Sequence, residues 1–361
     1  MGHKDVVNHR NTIILNGTSY GRTMRQRILV TGGMGFIGSN FVRYMLAKHE
    51  DIDIVNLDKL TYAGNLRNLE GVKERHRFIL GDVCDVSMVD RLVKECSAIV
   101  HFAAETHVDR SIAYAGKFVT TDIIGTFVLL EAARKHGIER FIQISTDEVY
   151  GEAPGRPSLE SDALMPKSPY AASKAGADQL AYSYFMTHKI PVTITRCSNN
   201  YGPYQYPEKL IPLFVTNALE GKKLPVYGTG KNTRDWIFVD DHCAAIDLLL
   251  QHTDLNGEVF NIGTGEEKSV LDIASAIVGT LGVPDDLLEH IADRPGHVLR
   301  HAVDSSKLRS LGWRPKYRFT EAITRTIEWY RDHEEWWKPI KTGGYKAYYE
   351  TQYRSMSMGG A

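Results

Sequence analysis

Between Ser145 and Lys174 the chain carries a hydroxyl, two adjacent carboxylic acids, and a tyrosine four residues ahead of a lysine: Thr146-Asp147-Glu148, then Tyr170 and Lys174. On a helix, Tyr170 and Lys174 share one face. A free phenol, with a pKa of about 10, is a poor base at neutral pH. A nearby ammonium favours the phenolate and would let Tyr170 take a proton from an alcohol, the partner reaction of two-electron transfer to a nicotinamide. Taken alone, such a pair is most often two solvated neighbours. The adjacent acids need a second argument, because two carboxylates that close resist ionising together. Different surroundings would leave one protonated as an acid and the other ionised as a base. The alternative is that Asp147 and Glu148 merely cap the next element.

Stepping outward, the apolar residues over 141–144 read as a buried strand. In open α/β sheets ligands bind beyond the carboxyl ends of the strands, which is where Thr146, Asp147 and Glu148 fall. Upstream, Ile28-Leu29-Val30 reads as a strand running into Thr31-Gly32-Gly33-Met34-Gly35-Phe36-Ile37-Gly38 and then an apolar-periodic helix through Leu46. Gly33, Gly35 and Gly38 satisfy G-x-G-x-x-G, and Gly32, Gly35 and Gly38 satisfy G-x-x-G-x-x-G. Small residues there let the backbone and helix N-terminus approach a pyrophosphate. The next strand, over 54–57, ends at Asp58, about 20 residues past the last glycine, where a carboxylate binds a ribose 2′-hydroxyl and repels a 2′-phosphate. NAD is therefore expected over NADP, with Lys59 next door weakening the preference. Strands over 77–80, 98–102 and 192–195 alternate with helical patterns over 88–95 and 118–135, which predicts an α/β fold with a parallel doubly wound, Rossmann-like sheet. Asp82 is a candidate adenine contact and Ala103-Ala104 a candidate cofactor wall, their alternatives being an ordinary turn and tight packing.

Beyond 195 the pattern changes. The loop over 197–207 is rich in aromatics and amides, and the strand–helix alternation then breaks into a smaller region. Lys209, Arg234, Arg294 and Arg300 are dispersed through it; each is individually a surface charge by default, and together they could meet a sugar-nucleotide diphosphate. An aromatic-rich helix over 319–337 is expected to pack on the core. The expected organisation is a flexible extension over 1–24, a mainly NAD-binding Rossmann domain over 25–196, and a mainly sugar-nucleotide-binding region over 197–340 with some segments returning to the first. A loosely held tail covers 341–361.

Composition narrows the partners. In 361 residues, 43 Lys and Arg oppose 44 Asp and Glu for a formal charge of -1, so neither nucleic acid nor a membrane surface is an expected partner. No apolar run approaches the roughly 18 residues of a membrane helix. Cys84, Cys96, Cys197 and Cys243 are widely separated and neither they nor His107 show metal-ligand spacing. Reduced thiols, no metal and a cytoplasmic location are expected.

Several strings together strongly resemble the dTDP-glucose 4,6-dehydratases of the extended short-chain dehydrogenase/reductase superfamily. They are Ala103 through Ile112, Ser145 through Gly151, the Tyr170/Lys174 pair, Asn199 through Leu210, Tyr227 through Val239 and Asp293 through His297. The resemblance runs from about residue 25 to 330, and its discriminator is Thr146-Asp147-Glu148, since relatives that epimerise or decarboxylate sugar nucleotides generally lack the adjacent acids. It implies tightly bound NAD+ and dTDP-glucose as substrate, with Tyr170 as base for the 4-hydroxyl, Thr146 on the C4 oxygen and Lys174 tuning the tyrosine. Glu148 would remove the C5 proton while Asp147 protonates the departing 6-hydroxyl. It further implies cofactor contacts at Gly32, Gly35, Phe36, Ile37, Gly38, Asp58, Lys59, Asp82, Val83, Ala103, Ala104, Thr121, Tyr170, Lys174 and Asn200. Substrate contacts are implied at Thr106, Thr146, Asn199, Lys209, Leu210, Pro225, Tyr227, Arg234, Asp293, Arg294 and His297, and a homodimer through helices near 118–135 and 170–184. Two positions depart from the family pattern: Asp122 stands where an Asn is common, and Val270 is apolar where a polar residue is frequent, which leaves uridine as an alternative base to thymidine. Competing readings are a 4-epimerase or decarboxylase, which has no need of the acid pair, and a non-catalytic scaffold, which would be expected to have lost Tyr170 or Lys174.

Overall fold

A computed structural model describes residues 25–293 and 297–343. The expected extension over 1–24, Arg294, and the expected tail beyond residue 343 lie outside the described residues. The strands are β1 (Gln26–Thr31), β2 (Ile52–Asp58), β3 (His76–Leu80), β4 (Ala98–His101), β5 (Arg140–Thr146), β6 (Val192–Cys197), β7 (Asn199–Tyr201), β8 (Leu224–Tyr227), β9 (Thr233–Phe238), β10 (Val259–Ile262), β11 (Glu267–Ser269), β12 (Leu288–Ile291) and β13 (Arg300–His301). The helices are α1 (Phe36–Lys48), α2 (Val86–Val93), α3 (Val108–Ala113), α4 (Ala115–Phe118), α5 (Gly125–His136), α6 (Pro169–His188), α7 (Leu210–Leu219), α8 (Val239–Gln251), α9 (Val270–Leu281), α10 (Ser306–Ser310), α11 (Phe319–Asp332) and α12 (Glu334–Thr342).

Seven parallel strands form the main sheet in the order β10-β6-β5-β4-β1-β2-β3. Because side chains alternate across a strand, β1 feeds both faces. Ile28 and Val30 join Phe41 and Met45 of α1 and Cys243 and Ile246 of α8 in one core, whereas Leu29 joins Val89 of α2, Leu129 of α5 and Ala181 of α6 in the other. Burial on both faces explains the near-continuous apolar runs that made these strands readable. The chain winds outward from β1 in both directions, so strand order reverses between β1 and β4. That crevice is where such sheets bind ligands.

The smaller region pairs β8 with β12, and flanks β9 with β7, β11 and β13. Its core gathers Phe214 of α7, Ile273 of α9, Ile327 and Tyr330 of α11 and Trp337 of α12. Two expected helices are interrupted. The one expected over 118–135 contains a π-helical turn at Val119–Ile124 between α4 and α5. The one expected over 319–337 breaks at His333, which lets Trp336 and Trp337 fold inward, their indole N–H groups donating to Asn68 Oδ1 at 3.0 Å and the Tyr330 carbonyl at 2.7 Å. Among the described residues no helix is long and apolar enough to cross a membrane.

Candidate active site

The crevice opens into a cavity of about 300 Å³. Its floor follows from the glycines. Gly32 has φ +72°, and a Cβ there would meet Ala103 N at 2.6 Å; a Cβ on Gly38 would meet the Gly32 carbonyl oxygen at 2.3 Å. Those two glycines close the strand–turn–helix unit. Gly35 differs, for its Cβ would meet only the Gly32 oxygen, at 3.3 Å, and it faces the cavity as the N-cap of α1 with no capping side chain. Phe36, Ile37 and Gly38 line the cavity behind it, so the uncapped first-turn N–H groups lie at an anion site in waiting. Gly33 packs on Asn56 instead and is not on the wall.

Asp58, at the end of β2, accepts Met34 N–H at 2.9 Å and Leu60 N–H at 2.8 Å, which orders the glycine loop around it. Burial raises its pKa, opposed by those two hydrogen bonds. Lys59 donates to Asp82 at 2.6 Å on the cavity rim. Val83, Ala103, Ala104, Thr106, Thr121, Asn199, Asn200 and Lys209 also line this cavity.

The chemical wall comes from β5 and α6. Thr146 ends β5, and its hydroxyl accepts Glu148 N–H at 3.2 Å, capping the single 3₁₀ turn Asp147–Tyr150. The cap is therefore Thr146, and both acids are released from that duty. The Thr146 hydroxyl donates to Asp147 Oδ1 at 3.3 Å and acts on the Tyr170 phenol, favouring its ionised form. Asp147 is buried, its Oδ2 has no partner, and it lines the cavity. Burial, then the charge of Glu148, pushes its pKa up to about 8, so it holds its proton at neutral pH. Glu148, by contrast, is only partly buried.

Ser168 caps α6 by accepting Ala171 N–H at 3.1 Å, with Pro169 opening the helix. Tyr170 and Lys174 both line the cavity. The expected depression of the phenol is not found in the protein by itself: burial and then Glu148 hold Tyr170 well above its ordinary range, and among the leading influences only Thr146 lowers it. Lys174 is buried and donates to the Ile144 carbonyl at 2.6 Å. Asp122, in the π-helical turn, accepts Glu105 N–H at 2.9 Å and the Ser173 hydroxyl at 2.6 Å, bracing the cavity loop against α6. Its pKa is pushed up to about 6 by burial, against the charge of Lys174.

A second, smaller cavity of about 90 Å³ shares Glu148 and Asn199 with the first and adds Arg234, Lys167 and His301. Of the other residues expected to contact substrate, Leu210, Pro225, Tyr227, Asp293 and His297 line neither cavity. Tyr227, Asp293 and His297 form their own cluster, His297 Nδ1 lying 2.6 Å from Asp293 Oδ1 and its ring edge-on to Tyr227. Val270 opens α9 and packs on the smaller core.

Residue-level reading missed Tyr62, Ser198, Gln205 and Tyr206 on the main cavity wall. Ser198 Oγ and Gln205 Oε1 are buried without partners there. The amide-rich loop signalled a site, but nothing in its composition ranked its members. These orphaned acceptors, the open Gly35 cradle and the ordered Asp58 carboxylate fit a dinucleotide with polar groups at both ends. Among the described residues, no cluster of three or more His, Cys, Asp or Glu could hold a metal ion.

A dinucleotide cradle sharing one cavity with a Tyr/Lys pair is the design of an extended short-chain dehydrogenase/reductase. A family model described as GDP-mannose 4,6 dehydratase matches residues 29–326. A dTDP-glucose 4,6-dehydratase of Streptomyces niveus is 50% identical over 88% of this chain and 96% of that protein. DesIV of Streptomyces venezuelae, a dTDP-glucose 4,6-dehydratase solved with NAD bound, superposes with a TM-score of 0.85 at 48% identity over 88% of this chain and 100% of that one. The chain belongs to the dTDP-glucose 4,6-dehydratase family. A UDP-glucose 4-epimerase of Thermus thermophilus, solved with NAD, shares the fold at 32% identity and a TM-score of 0.80, covering 85% of this chain and 100% of that one. Fold alone therefore does not separate the two chemistries.

Proposed function

We propose that this chain converts dTDP-glucose to dTDP-4-keto-6-deoxyglucose. The observation that carries the reading is Asp147: a protonated, buried acid with one unpartnered oxygen on the cavity wall, next to Glu148 and on the same cavity as Tyr170. Bound NAD+ would supply a two-electron acceptor for C4 and return the same electrons to C6, so that no external reductant is consumed. Gly32, Gly35, Phe36, Ile37 and Gly38 would hold its pyrophosphate, Asp58 a ribose, and Asp82, Val83, Ala103, Ala104, Thr121 and Asn200 its remaining surface.

The protein's own groups do the proton work. Tyr170, as its phenolate, takes the proton of the 4-hydroxyl while Thr146 holds that oxygen and Lys174 lies along the same face of α6; the proton Tyr170 gains makes good, at the end of the cycle, the one that Asp147 gives up. A ketone at C4 acidifies C5–H. Glu148 takes that proton, the electrons of the C5–H bond form the C5–C6 double bond, the C6–O bond breaks, and Asp147 gives its proton to the departing hydroxyl, which leaves as water. Glu148 then returns its proton to C5. Such general acid–base steps are each worth about 10²–10⁴-fold.

Thr106, Asn199, Lys209 and Arg234 would bear on sugar and diphosphate, with Leu210, Pro225, Tyr227, Asp293, Arg294 and His297 serving the nucleoside end. Residues 25–196 would mainly serve the cofactor and 197–340 mainly the sugar nucleotide. We assign a homodimer, supported by Val119, Ile124 and Phe127, and by Tyr182 of α6, large apolar side chains left exposed on the two helical segments expected to pair. The four free cysteines fit a cytoplasmic protein.

Incubation with dTDP-glucose and, separately, UDP-glucose tests the reading without added reduced cofactor. Formation of the 4-keto-6-deoxy product with preference for the thymidine substrate is expected. Product from the uridine substrate alone would overturn the base assignment, and C4 epimers in place of dehydrated product would overturn the reaction.

A further inference from the structure

Behind the catalytic wall lies a buried ion pair that the chemistry above does not use. Arg196 of β6 donates from Nε to Asp178 Oδ2 of α6 at 3.0 Å, with the two side chains 5% and 0% exposed. The same guanidinium donates from Nη1 to the Tyr150 phenol oxygen at 2.8 Å, and its carbon lies 4.9 Å from the Tyr150 ring centre. With its oxygen accepting from Arg196, the Tyr150 hydroxyl donates onward to Asn261 Oδ1 of β10 at 2.8 Å.

The position of each partner matters. Tyr150 is the last residue of the 3₁₀ turn that carries Asp147 and Glu148. Asp178 is one helical turn beyond Lys174 and two beyond Tyr170, on the same face of α6. Arg196 stands opposite Ser145 in the β5–β6 register, one residue before Thr146. One side chain thus touches the element bearing the acid–base pair and the element bearing the Tyr/Lys pair. Burying two charges is expensive, and such pairs are weak sources of stability; what this pair supplies is a fixed geometry through a planar fork that a point charge cannot reproduce. The turn's backbone is also held, the Val149 carbonyl accepting Met165 N–H at 3.0 Å, and the Tyr150 phenol is the side-chain link from its last residue to β6 and, through Arg196, to α6.

We propose that Arg196 and Tyr150 are positioning residues that hold the Asp147–Glu148 turn in register with the Tyr170–Lys174 face of α6, so that water loss follows C4 oxidation at one bound sugar. Tyr150 touches no reacting atom; it acts through the turn. The proposal rests on the 4,6-dehydratase reading, because it assigns the two elements to successive steps.

The test is a single-turnover reaction of NAD-loaded protein with dTDP-glucose, following both product and the near-ultraviolet absorbance of reduced nicotinamide. Tyr150→Phe keeps the ring and the Arg196–Asp178 pair but breaks the link to the turn. Displacing a reacting group by about 1 Å costs on the order of 10²-fold, so product formation is expected to fall by about 10–100-fold while reduced cofactor accumulates, since C4 oxidation needs only α6 and Thr146. Arg196→Lys keeps the charge facing Asp178 without the fork and should show the same accumulation. Wild-type product rates without accumulation, or equal slowing of oxidation and elimination, would overturn the proposal; so would loss of folding in both variants, which would assign the cluster to core stability. If one variant alone fails to fold, the other decides. Absence of product from the wild-type protein would sink the dehydratase reading instead, independently of either variant.

Discussion

The wall that faces the expected cofactor and the region expected to take the nucleoside end of the substrate were built from sequence in different ways, and the structure treats them differently. Every cofactor contact implied by the family resemblance lines one cavity, together with the acids and the Tyr/Lys pair. Of the eleven residues expected to meet substrate, five line neither cavity and one lies outside the described residues. The difference is topological. In a parallel doubly wound sheet every strand points the same way, so the turns after β1, β2, β3, β4 and β5 converge at one edge however far apart they are in the chain. The smaller region is assembled from short strands joined by loops, and its members meet through long-range pairings such as β8 with β12. No local pattern encodes those.

The sharpest way to break this contrast is at the acid pair. Glu148→Gln should bind NAD and dTDP-glucose as the wild type does yet lose about 10³-fold or more in product formation, within the range for a general base, with C4 oxidation retained. Asp147→Asn should cost about 10²-fold, and it also tests protonation. Asp147 must carry its proton to act, and its pKa lies at about 8, so elimination in the wild type should fall as pH rises through that value. The same raised pKa makes its contribution to stability largest below the ordinary carboxylate range and lost as pH climbs toward 8. In Asp147→Asn both the basic limb of the rate profile and that part of the stability profile should vanish. An unchanged basic limb would remove Asp147 as the acid.

A smaller effect separates two glycines of one motif. Gly38→Ala would press a methyl to 2.3 Å from a backbone oxygen and should destabilise the fold, read as a fall in melting temperature of several degrees. Gly35→Ala meets only one oxygen at 3.3 Å and should melt near the wild type while binding NAD about tenfold more weakly by titration, because its methyl enters the cradle. Equal melting losses would show that Gly35 too is a packing glycine. The smallest effect is expected in the distant cluster: His297→Ala should raise KM for dTDP-glucose by about threefold to tenfold with kcat near wild type, the mark of uniform binding. A fall in kcat would move that cluster into the chemical site and dissolve the contrast.

What was legible follows the same division. The glycine motif, Asp58 and the order of strand and helix were readable because each rests on neighbours in sequence and on burial of both sheet faces. The acid pair stood out in sequence as two adjacent carboxylic acids at a strand end, and the raised pKa of Asp147 follows from its burial and from the charge of Glu148 beside it. The state of Tyr170 was not: the argument weighed one ammonium, whereas the phenol answers to burial and to Glu148, two features that tertiary structure sets. Lys174 spends a hydrogen on the Ile144 carbonyl, which no spacing rule announces. The π-helical turn was hidden because its six residues continue an ordinary apolar period, and Asp122, noticed only as an odd residue, proved to brace two walls of the cavity. The break at His333 was equally invisible, since two buried indoles reward it and neither lies beside its partner in sequence.

The edge strand β10 bears on how the molecule comes into being. It pairs with β6 but enters the chain more than sixty residues later, after the first elements of the smaller region, and α8 just before it packs on α1, which lies near the start of the chain. During synthesis the first six strands emerge with β6 presenting an unpaired, fully buried-type edge, the kind of surface that recruits other chains. The sheet is complete only once residues 259–262 have left the ribosome. Nascent chains halted before that point are therefore the ones most in need of chaperone protection, and the cofactor-facing half, though first to be made, is not a unit that can be cut free and kept.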